Sequence, residues 1–180
     1  MKIRSATPQD AEAFVAIFAP VVRDTAISFE WDPPTAGEMR ARIAKTLDKY
    51  PWLVAENAAG EVAGYAYAGS HRDPPSYQWS VNTSVYIHQD ARGQGLGRRL
   101  YEALHRQLVE LGYFRAYAGI SLPHPGSVAL HESVGYRPIG VYEKVGFKHG
   151  AWRDVGWWVK DLQPLVDNPP APRRPQPLTP

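Results

Sequence analysis

Residues 88–101, HQDARGQGLGRRLY, decide the fold that we predict for this chain. The residues before them, 83–87, are rich in β-branched and aromatic side chains, and leucines repeat every four residues from Leu96 to Leu108. A strand that passes through glycines into a helix presents unpaired backbone N–H groups and the positive end of the helix dipole. The stretch therefore predicts a phosphate-binding junction, which the neighbouring arginines reinforce.

Composition narrows the class of protein before any other motif is considered. The length of 180 residues favours one domain, and a hydrophobic fraction of 44% is enough for a substantial core. The chain has no cysteine, which excludes disulfides, thiolate catalysis and cysteine-based metal sites, and we expect no metal. A net charge of +2 is too small to indicate nucleic-acid binding. With no apolar signal core or membrane-length segment, we expect a cytoplasmic protein without a membrane partner.

Strands and helices alternate along the chain. We predict strands at 1–5, 51–56, 61–68, 77–87, 113–120, 136–145 and 151–159, and helices from Thr7 to about residue 20 or 22, at 38–47, from Arg92 or Gln94 to about 112, and at 125–134. This order predicts a single α/β domain over residues 1–162, with a mixed sheet and helices on both faces. The proline-rich residues 163–180 are predicted to be a flexible or surface-bound tail.

Two familiar glycine motifs do not fit the junction. A kinase-type or ATPase-type phosphate loop needs Lys and then Ser or Thr after its glycines, whereas Arg98 and Arg99 follow Gly97. A dinucleotide fold needs the spacing Gly-x-Gly-x-x-Gly, but the glycines here alternate at positions 93, 95 and 97. The phosphate expected at this junction must therefore belong to a ligand of another class.

The pattern Arg92-x-x-Gly95-x-Gly97 resembles the pyrophosphate-binding motif of the GNAT superfamily of N-acetyltransferases. Further segments resemble its phosphinothricin N-acetyltransferase branch, whose relatives act on methionine sulfoximine or arsinothricin. These segments are 50–56 (YPWLVAE), 64–69 (GYAYAG), 83–86 (TSVY), 122–123 (LP), 127–132 (SVALHE) and 148–156 (KHGAWRDVG). The resemblance covers residues 2–162 and implies the GNAT fold, with a mostly antiparallel sheet whose fourth and fifth strands splay around coenzyme A.

The same resemblance implies a set of acetyl-CoA-binding residues. The backbone of Val85, Tyr86 and Ile87 is expected to bind the pantetheine arm, and His124 and Ser127 to contact the cofactor. The pyrophosphate is expected at the start of the central helix, on Arg92, Gly93, Gln94, Gly95, Leu96, Gly97 and Arg98. His124 is a departure, because the branch commonly has Asn there.

Two residues are expected to take part in catalysis. The resemblance makes His131 a proton donor or relay near the sulfur, while a capping or core histidine is the alternative. Asn82 stands where the branch commonly has the general base Glu, in the segment Trp79-Ser-Val-Asn82. An amide cannot act as a base, although it can orient a water or the amine. Deprotonation is then expected through a water to Glu30 or a histidine, or from the neutral fraction of the amine.

The acceptor amino acid is expected to bind to residues upstream of the fourth strand. Arg72 and Tyr77 lie where the branch binds the carboxylate and the acidic tail, and Arg suits two-point binding of such oxygens. Phe29, Glu30 and His149 are expected around this pocket, from the same chain or from the partner of a homodimer.

The sequence therefore predicts an acetyl-CoA-dependent enzyme that acetylates the α-amine of a small glutamate-like toxic amino acid by direct attack on the thioester. One alternative is acetylation of another amine, such as a metabolite or a protein N-terminus. The other is an acyl-CoA-binding sensor, which the missing Glu at position 82 favours.

Overall fold

The computed structural model describes residues 1–176, and within them strands and helices form one open sheet with helices on both faces. The strands are β1 (Lys2–Ser5), β2 (Trp52–Glu56), β3 (Val62–Ser70), β4 (Ser80–Ile87), β5 (Arg115–Leu122), β6 (Arg137–Lys148) and β7 (Ala151–Asp161). The helices are α1 (Ala11–Asp24), α2 (Ala36–Leu47), α3 (Leu96–Leu111) and α4 (Pro125–Ser133). The predicted mixed α/β architecture is confirmed.

The strand order in the sheet is β1-β2-β3-β4-β5-β7-β6, and every pair is antiparallel except β4 and β5. The parallel pair is short, because only Ser80–Asn82 align with Arg115–Tyr117 before the strands separate. This separation confirms the predicted splay of the fourth and fifth strands.

Each face of the sheet has its own core. Helices α1 and α2 pack on one face, where Phe14 stacks on Tyr65 with ring centroids 4.2 Å apart. Helix α3 covers the other face with fully buried leucines such as Leu100 and Leu104. Because successive side chains of a strand point to opposite faces, neighbours on β4 contribute to different surfaces of the molecule.

Three predicted boundaries are wrong, each for a local reason. Tyr77 belongs to a single 3₁₀ turn, Pro75–Tyr77, rather than to β4, because Pro74 and Pro75 favour a turn there. Helix α3 starts at Leu96, later than Arg92 or Gln94, because the glycines before it have left-handed backbone angles. Strand β6 continues to Lys148, and the turn to β7 is limited to His149 and Gly150.

The segment after β7 has no helix or strand up to residue 176, but it contacts the surface of the domain. The backbone N–H of Arg173 donates to the carbonyl of Leu111, and the indole N–H of Trp79 donates to the carbonyl of Pro170. The tail is therefore surface-bound as far as residue 176. Residues 177–180 of the predicted tail lie outside the described residues.

Candidate functional site

The separation of β4 and β5 opens a cleft through the sheet. Its walls are Ile27, Thr83, Ser84, Val85, Tyr86, Tyr101, Gly119, Ile120, Ser121, His124, Ser127 and His131. Beyond Asn82, the edge of β4 that faces β5 has no strand partner, so its backbone can hydrogen-bond an extended ligand as an added strand does. Four predicted residues, Val85, Tyr86, His124 and Ser127, are thus brought together with His131.

The glycine junction lies at the N-terminus of α3. Gly93 and Gly95 have φ angles of 73° and 71°, a conformation that favours glycine over other residues. Gly95 is the N-cap, and no side chain caps the helix. Residues 92–95 are exposed, and the first-turn N–H groups are therefore available to an anion.

Gly97 serves a different purpose from the other two glycines. A Cβ atom there would lie 2.9 Å from a methyl carbon of Leu130 on α4. Its lack of a side chain therefore allows α3 and α4 to pack closely, which sequence spacing alone did not indicate.

The polar side chains of the junction hold its shape or remain on the surface. The Arg92 guanidinium donates to the carbonyl of Ile87 over 3.2 Å, and the Gln94 amide donates to the carbonyl of Asp90. Arg98 forms an ion pair with Glu102 one helical turn later. The predicted Ile87 thus contacts the junction through its carbonyl.

His131 is buried in the wall of the cleft, with 4% of its surface exposed. Its Nδ1 lies 2.7 Å from the carbonyl oxygen of Ser127 and its Nε2 lies 2.8 Å from the hydroxyl of Tyr101. Because a carbonyl only accepts, Nδ1 carries the proton and Nε2 accepts the Tyr101 hydroxyl. Desolvation lowers the pKa of His131, against an opposing effect of the bond to Ser127. The imidazole is therefore neutral, with the lone pair of Nε2 directed at the Tyr101 hydroxyl.

A second buried polar group lies behind this pair. The Thr83 hydroxyl donates to the carbonyl of Tyr117 and accepts from Tyr136 over 2.7 Å, while Nε2 of His105 lies 3.1 Å from the Tyr136 hydroxyl. Burial raises the pKa of Tyr136, and desolvation lowers the pKa of His105 to about 3. Both groups are therefore neutral near pH 7.

His124 is the N-cap of α4. Its Nδ1 accepts from the backbone N–H of Ser127 over 3.3 Å, and desolvation together with the charge of Arg92 lowers its pKa. The neutral ring stands between the cleft and the glycine junction.

On the other face of the sheet, Asn82 lies at the last β4–β5 pair, opposite Tyr117. Its Oδ1 is 2.9 Å from Nδ1 of His71, and the His71 ring stacks on Tyr117 with centroids 4.2 Å apart. A cavity of about 250 Å³ opens beside this group. It is lined by His71, Arg72, Tyr117, Ile139, Gly140, Tyr142 and Trp157.

The remaining predicted substrate residues surround these two openings without lining them. Tyr77 is exposed, with its ring centroid 5.9 Å from that of His71. Glu30 is held in an ion pair by Arg42, with distances of 2.8 and 2.9 Å, and the Phe29 ring packs on Gly146. His149 donates to the carbonyl of Thr25.

The loop that contains Phe29 and Glu30 is anchored by a buried lysine. The ammonium of Lys148 donates to the carbonyls of Val22 and Ser28, over 2.6 and 2.7 Å. Burial lowers the pKa of this ammonium. The anchor fixes Ile27 at the cleft and Phe29 beside strand β6.

Sequence reasoning missed several residues of the site: Tyr101, Thr83, Tyr136, His105, His71, Tyr117, Tyr142 and Trp157. Tyr101 belongs to the leucine-rich helix and looked like a core position. His71 belongs to a polar loop, and only folding brings it to Asn82. In the sequence, the one indication of this contact was a histidine eleven positions before Asn82, the residue that stands where the branch commonly has Glu.

Residues 1–176 lack two features that would indicate another kind of site. No helix in this range has the length and apolar character needed to cross a membrane. No group of three or more His, Asp or Glu side chains in the same range could hold a metal ion.

Comparison with known proteins agrees with this geometry. Residues 3–157 match the model of the Acetyltransferase (GNAT) domain. The chain is 38% identical to a phosphinothricin N-acetyltransferase of Streptomyces viridochromogenes, over 97% of this chain and 94% of that one. It is 33% identical to an L-methionine sulfoximine/L-methionine sulfone acetyltransferase of Pseudomonas paraeruginosa, over 93% and 98% of the two chains.

A solved structure has the same fold. The GNAT superfamily phosphinothricin acetyltransferase (Pat) from Sinorhizobium meliloti, crystallised in complex with AcCoA, superposes with a TM-score of 0.86. It is 33% identical, and the match covers 89% of this chain and 87% of that chain. The chain therefore belongs to the GNAT family of acetyltransferases and is an enzyme of the N-acetyltransferase class.

Proposed function

We propose that the protein uses acetyl-CoA to acetylate the α-amine of a small glutamate-like toxic amino acid, of the phosphinothricin, arsinothricin or methionine sulfoximine class. The observation that carries this proposal is the position of the Arg72 cavity, which shares Tyr117 with the point where β4 and β5 separate. An amino acid in that cavity lies next to the opening of the cleft. The relatives named for phosphinothricin and methionine sulfoximine support the substrate class.

The cleft and the glycine junction fit acetyl-CoA. We propose that the backbone of Val85, Tyr86 and Ile87 binds the pantetheine arm as an added strand, with His124 and Ser127 beside it. The pyrophosphate is assigned to residues 92–98, where N–H groups are uncapped and arginines add positive charge. When bound, acetyl-CoA supplies an acetyl group activated as a thioester.

Proton transfer on the cofactor side is assigned to His131 and Tyr101. Because Nδ1 of His131 keeps its proton on Ser127 and Nε2 carries none, we propose that the leaving sulfur takes the hydroxyl proton of Tyr101, and that the Tyr101 oxygen regains a proton from water through Nε2 of His131. Tyr101 is fully buried, and its side chain forms part of the cleft wall beside His131. The pair therefore acts as a relay rather than as a single acid.

Recognition of the acceptor is assigned to Arg72, with Tyr77 beside it. A guanidinium binds two oxygens of a carboxylate, phosphinate or arsinate at once, and Tyr117 and Trp157 supply apolar walls. Phe29 and Glu30 share a loop with Ile27 of the cleft, and we propose that they and His149 border the entrance. The site is built for a small molecule rather than a protein N-terminus.

We also propose a homodimer, acting in the cytoplasm, where acetyl-CoA is available. Strand β6 exposes a row of large apolar side chains at the edge of the sheet: Ile139, Val141, Tyr142, Val145 and Phe147. Ile139 and Tyr142 also line the acceptor cavity, so a second copy on this edge would close it. Sedimentation velocity tests this, and a monomer at micromolar concentration would contradict it.

Thiol release from acetyl-CoA tests the proposed function. We expect release with phosphinothricin, arsinothricin or methionine sulfoximine and slower release with ordinary amino acids. Faster release with unrelated amines would assign another acceptor. Tight acetyl-CoA binding without release for any amine would favour a sensor.

A further inference from the structure

The wall of the Arg72 cavity contains a histidine, His71, to which sequence reasoning assigned no role. Asn82 cannot take a proton from an ammonium group, so the site needs another base. His71 is the titratable side chain in contact with Asn82, at 2.9 Å between Nδ1 and Oδ1. The following assignment rests on the proposed function, because it concerns the same acceptor.

The contact determines the tautomer of His71. An amide oxygen only accepts hydrogen bonds, so Nδ1 of His71 carries the proton and donates it to Asn82. Nε2 then has a free lone pair. Within residues 1–176, no group hydrogen-bonds Nε2. An Asn that orients a catalytic histidine through its Nδ1–H is chemically equivalent to the third member of a cysteine-protease triad.

The ring is also held in place by packing. It stacks on Tyr117 with an interplanar angle of 20°, and Trp157 contacts it edge-on at 6.5 Å between centroids. The ring is half-buried and forms part of the cavity wall. The titratable or charged groups that contact the ring or share its cavity are Arg72, Tyr77, Tyr117 and Tyr142. None of these groups is a carboxylate or an imidazole that could accept the proton in place of His71.

We propose that His71 is the general base of the reaction and that Asn82 is its positioning residue. The acceptor ammonium, bound through its carboxylate at Arg72, lies beside His71 in one cavity. An N–H bond of the ammonium breaks and its proton moves to Nε2, leaving a neutral amine. The amine nitrogen then bonds to the thioester carbonyl carbon, and the C–S bond breaks. His71 passes the first proton to water and then takes the second amine proton, which it also passes to water, while the leaving sulfur gains the hydroxyl proton of Tyr101.

The proposed base, His71, and the proposed proton relay, Tyr101 and His131, therefore lie on opposite faces of the sheet. Thr83, next to Asn82 on β4, points to the face of Tyr136 and α3, where the Tyr101–His131 pair lies. His71 lies on the other face. The proton leaving the amine and the proton reaching the sulfur thus use separate groups.

The experiment compares the wild-type enzyme with His71→Gln, Asn82→Asp and Asn82→Ala. In His71→Gln we expect kcat/KM for the acceptor to fall by about 100- to 1000-fold at pH 7 and its acidic limb to disappear. Asn82→Asp keeps an acceptor for Nδ1–H and should retain most of the activity, whereas Asn82→Ala should not. The acetyl-CoA Kd should stay within about twofold in every variant, because the cofactor side is untouched.

Nitrogen-15 NMR of the histidine rings gives a readout that does not depend on turnover. We expect His71 of the wild type to be in the Nδ1–H form when neutral, and Asn82→Ala to shift it towards a mixture of tautomers. Lys45→Gln is the control, since Lys45 is exposed on α2 and lines neither the cleft nor the cavity, and it should leave the rate and its pH profile unchanged.

The outcomes separate the two proposals. A wild-type enzyme without acetyl transfer to any amino acid overturns both the proposed function and the role of His71. Transfer in the wild type with an unchanged rate and acidic limb in His71→Gln overturns only the role of His71. An Nε2–H tautomer in the wild type also overturns it.

Discussion

The two sides of the sheet at the β4–β5 opening are constructed differently. On the α3 side, the site is made of consecutive residues at a helix N-terminus and of a buried pair, His131 and Tyr101. On the other side, the residues that line an open cavity come from three distant segments: His71 and Arg72 from the loop after β3, Tyr117 from β5 and Trp157 from β7. The first side suits a co-substrate common to the whole family. The second depends on contacts between distant parts of the chain, so its residues can be identified only from the fold.

Apart from His71, the largest effect on catalysis should come from the buried pair of His131 and Tyr101. We expect His131→Ala to lower kcat by about 100-fold or more, because the relay loses the ring that exchanges its proton. The acetyl-CoA Kd, measured by calorimetry, should change far less. Tyr101→Phe removes only a hydroxyl and should reproduce most of the loss. Full activity in both variants would mean that His131 is only a core histidine.

The glycine junction should affect the cofactor instead of the acceptor. Gly95→Val places a β-branched residue at φ 71° and should weaken acetyl-CoA binding by about 10- to 100-fold. The acceptor KM should not change at saturating acetyl-CoA. Gly60→Val is the control, since Gly60 has a φ of 81° in the β2–β3 hairpin turn and does not line the cleft. Equal losses of affinity in the two variants would point to general strain.

Arg72 should affect only the acceptor. Arg72→Lys keeps the charge but loses two-point binding, so the acceptor KM should rise by about 10-fold while the acetyl-CoA KM remains constant. Arg40→Lys on the exposed surface of α2 serves as the control. A rise in the acetyl-CoA KM alone would mean that Arg72 binds the cofactor, and the assignment of its cavity to the acceptor would be wrong.

The smallest effect concerns stability on the α3 side. Desolvation, with smaller contributions from Lys160 and His131, lowers the pKa of His105 from 6.5 to about 3. Below pH 6.5 the unfolded chain therefore binds a proton at His105 that the folded chain does not bind. The free energy of unfolding is therefore highest above this pH and decreases as the pH falls towards 3. His105→Gln should reduce that dependence by about 1.4 kcal/mol per pH unit. Urea unfolding between pH 7 and 4.5 measures it, and parallel curves for both proteins would contradict it.

The sequence was sufficient for the fold and for naming several residues that line the cleft and the glycine junction. Helical leucine spacing predicted α3, and the proline and glycine positions predicted the breaks between elements, with errors where two prolines or two glycines delayed an element. The glycine motif is local, so its residues are neighbours in any fold that places a helix after it. The splay itself came only from the family resemblance and was confirmed by the short β4–β5 pairing.

The acceptor side could be predicted only in part. Arg72 lines the cavity, but Phe29, Glu30 and His149 do not, and Glu30 is already paired with Arg42. These side chains belong to loops whose positions depend on distant anchors such as Lys148. The spacing of residues in the sequence does not predict contacts between loops that are held by residues far away in the chain.

By itself, the sequence determined the order of strands and helices, the glycine junction and the absence of an acid at position 82, because periodicity, backbone freedom and residue identity are local properties. Only the tertiary structure decided that His71 meets Asn82 and that Tyr101 meets His131. Those pairs are separated by 11 and 30 residues, and their contacts depend on the packing of β3, β4, α3 and α4 around the splayed strands.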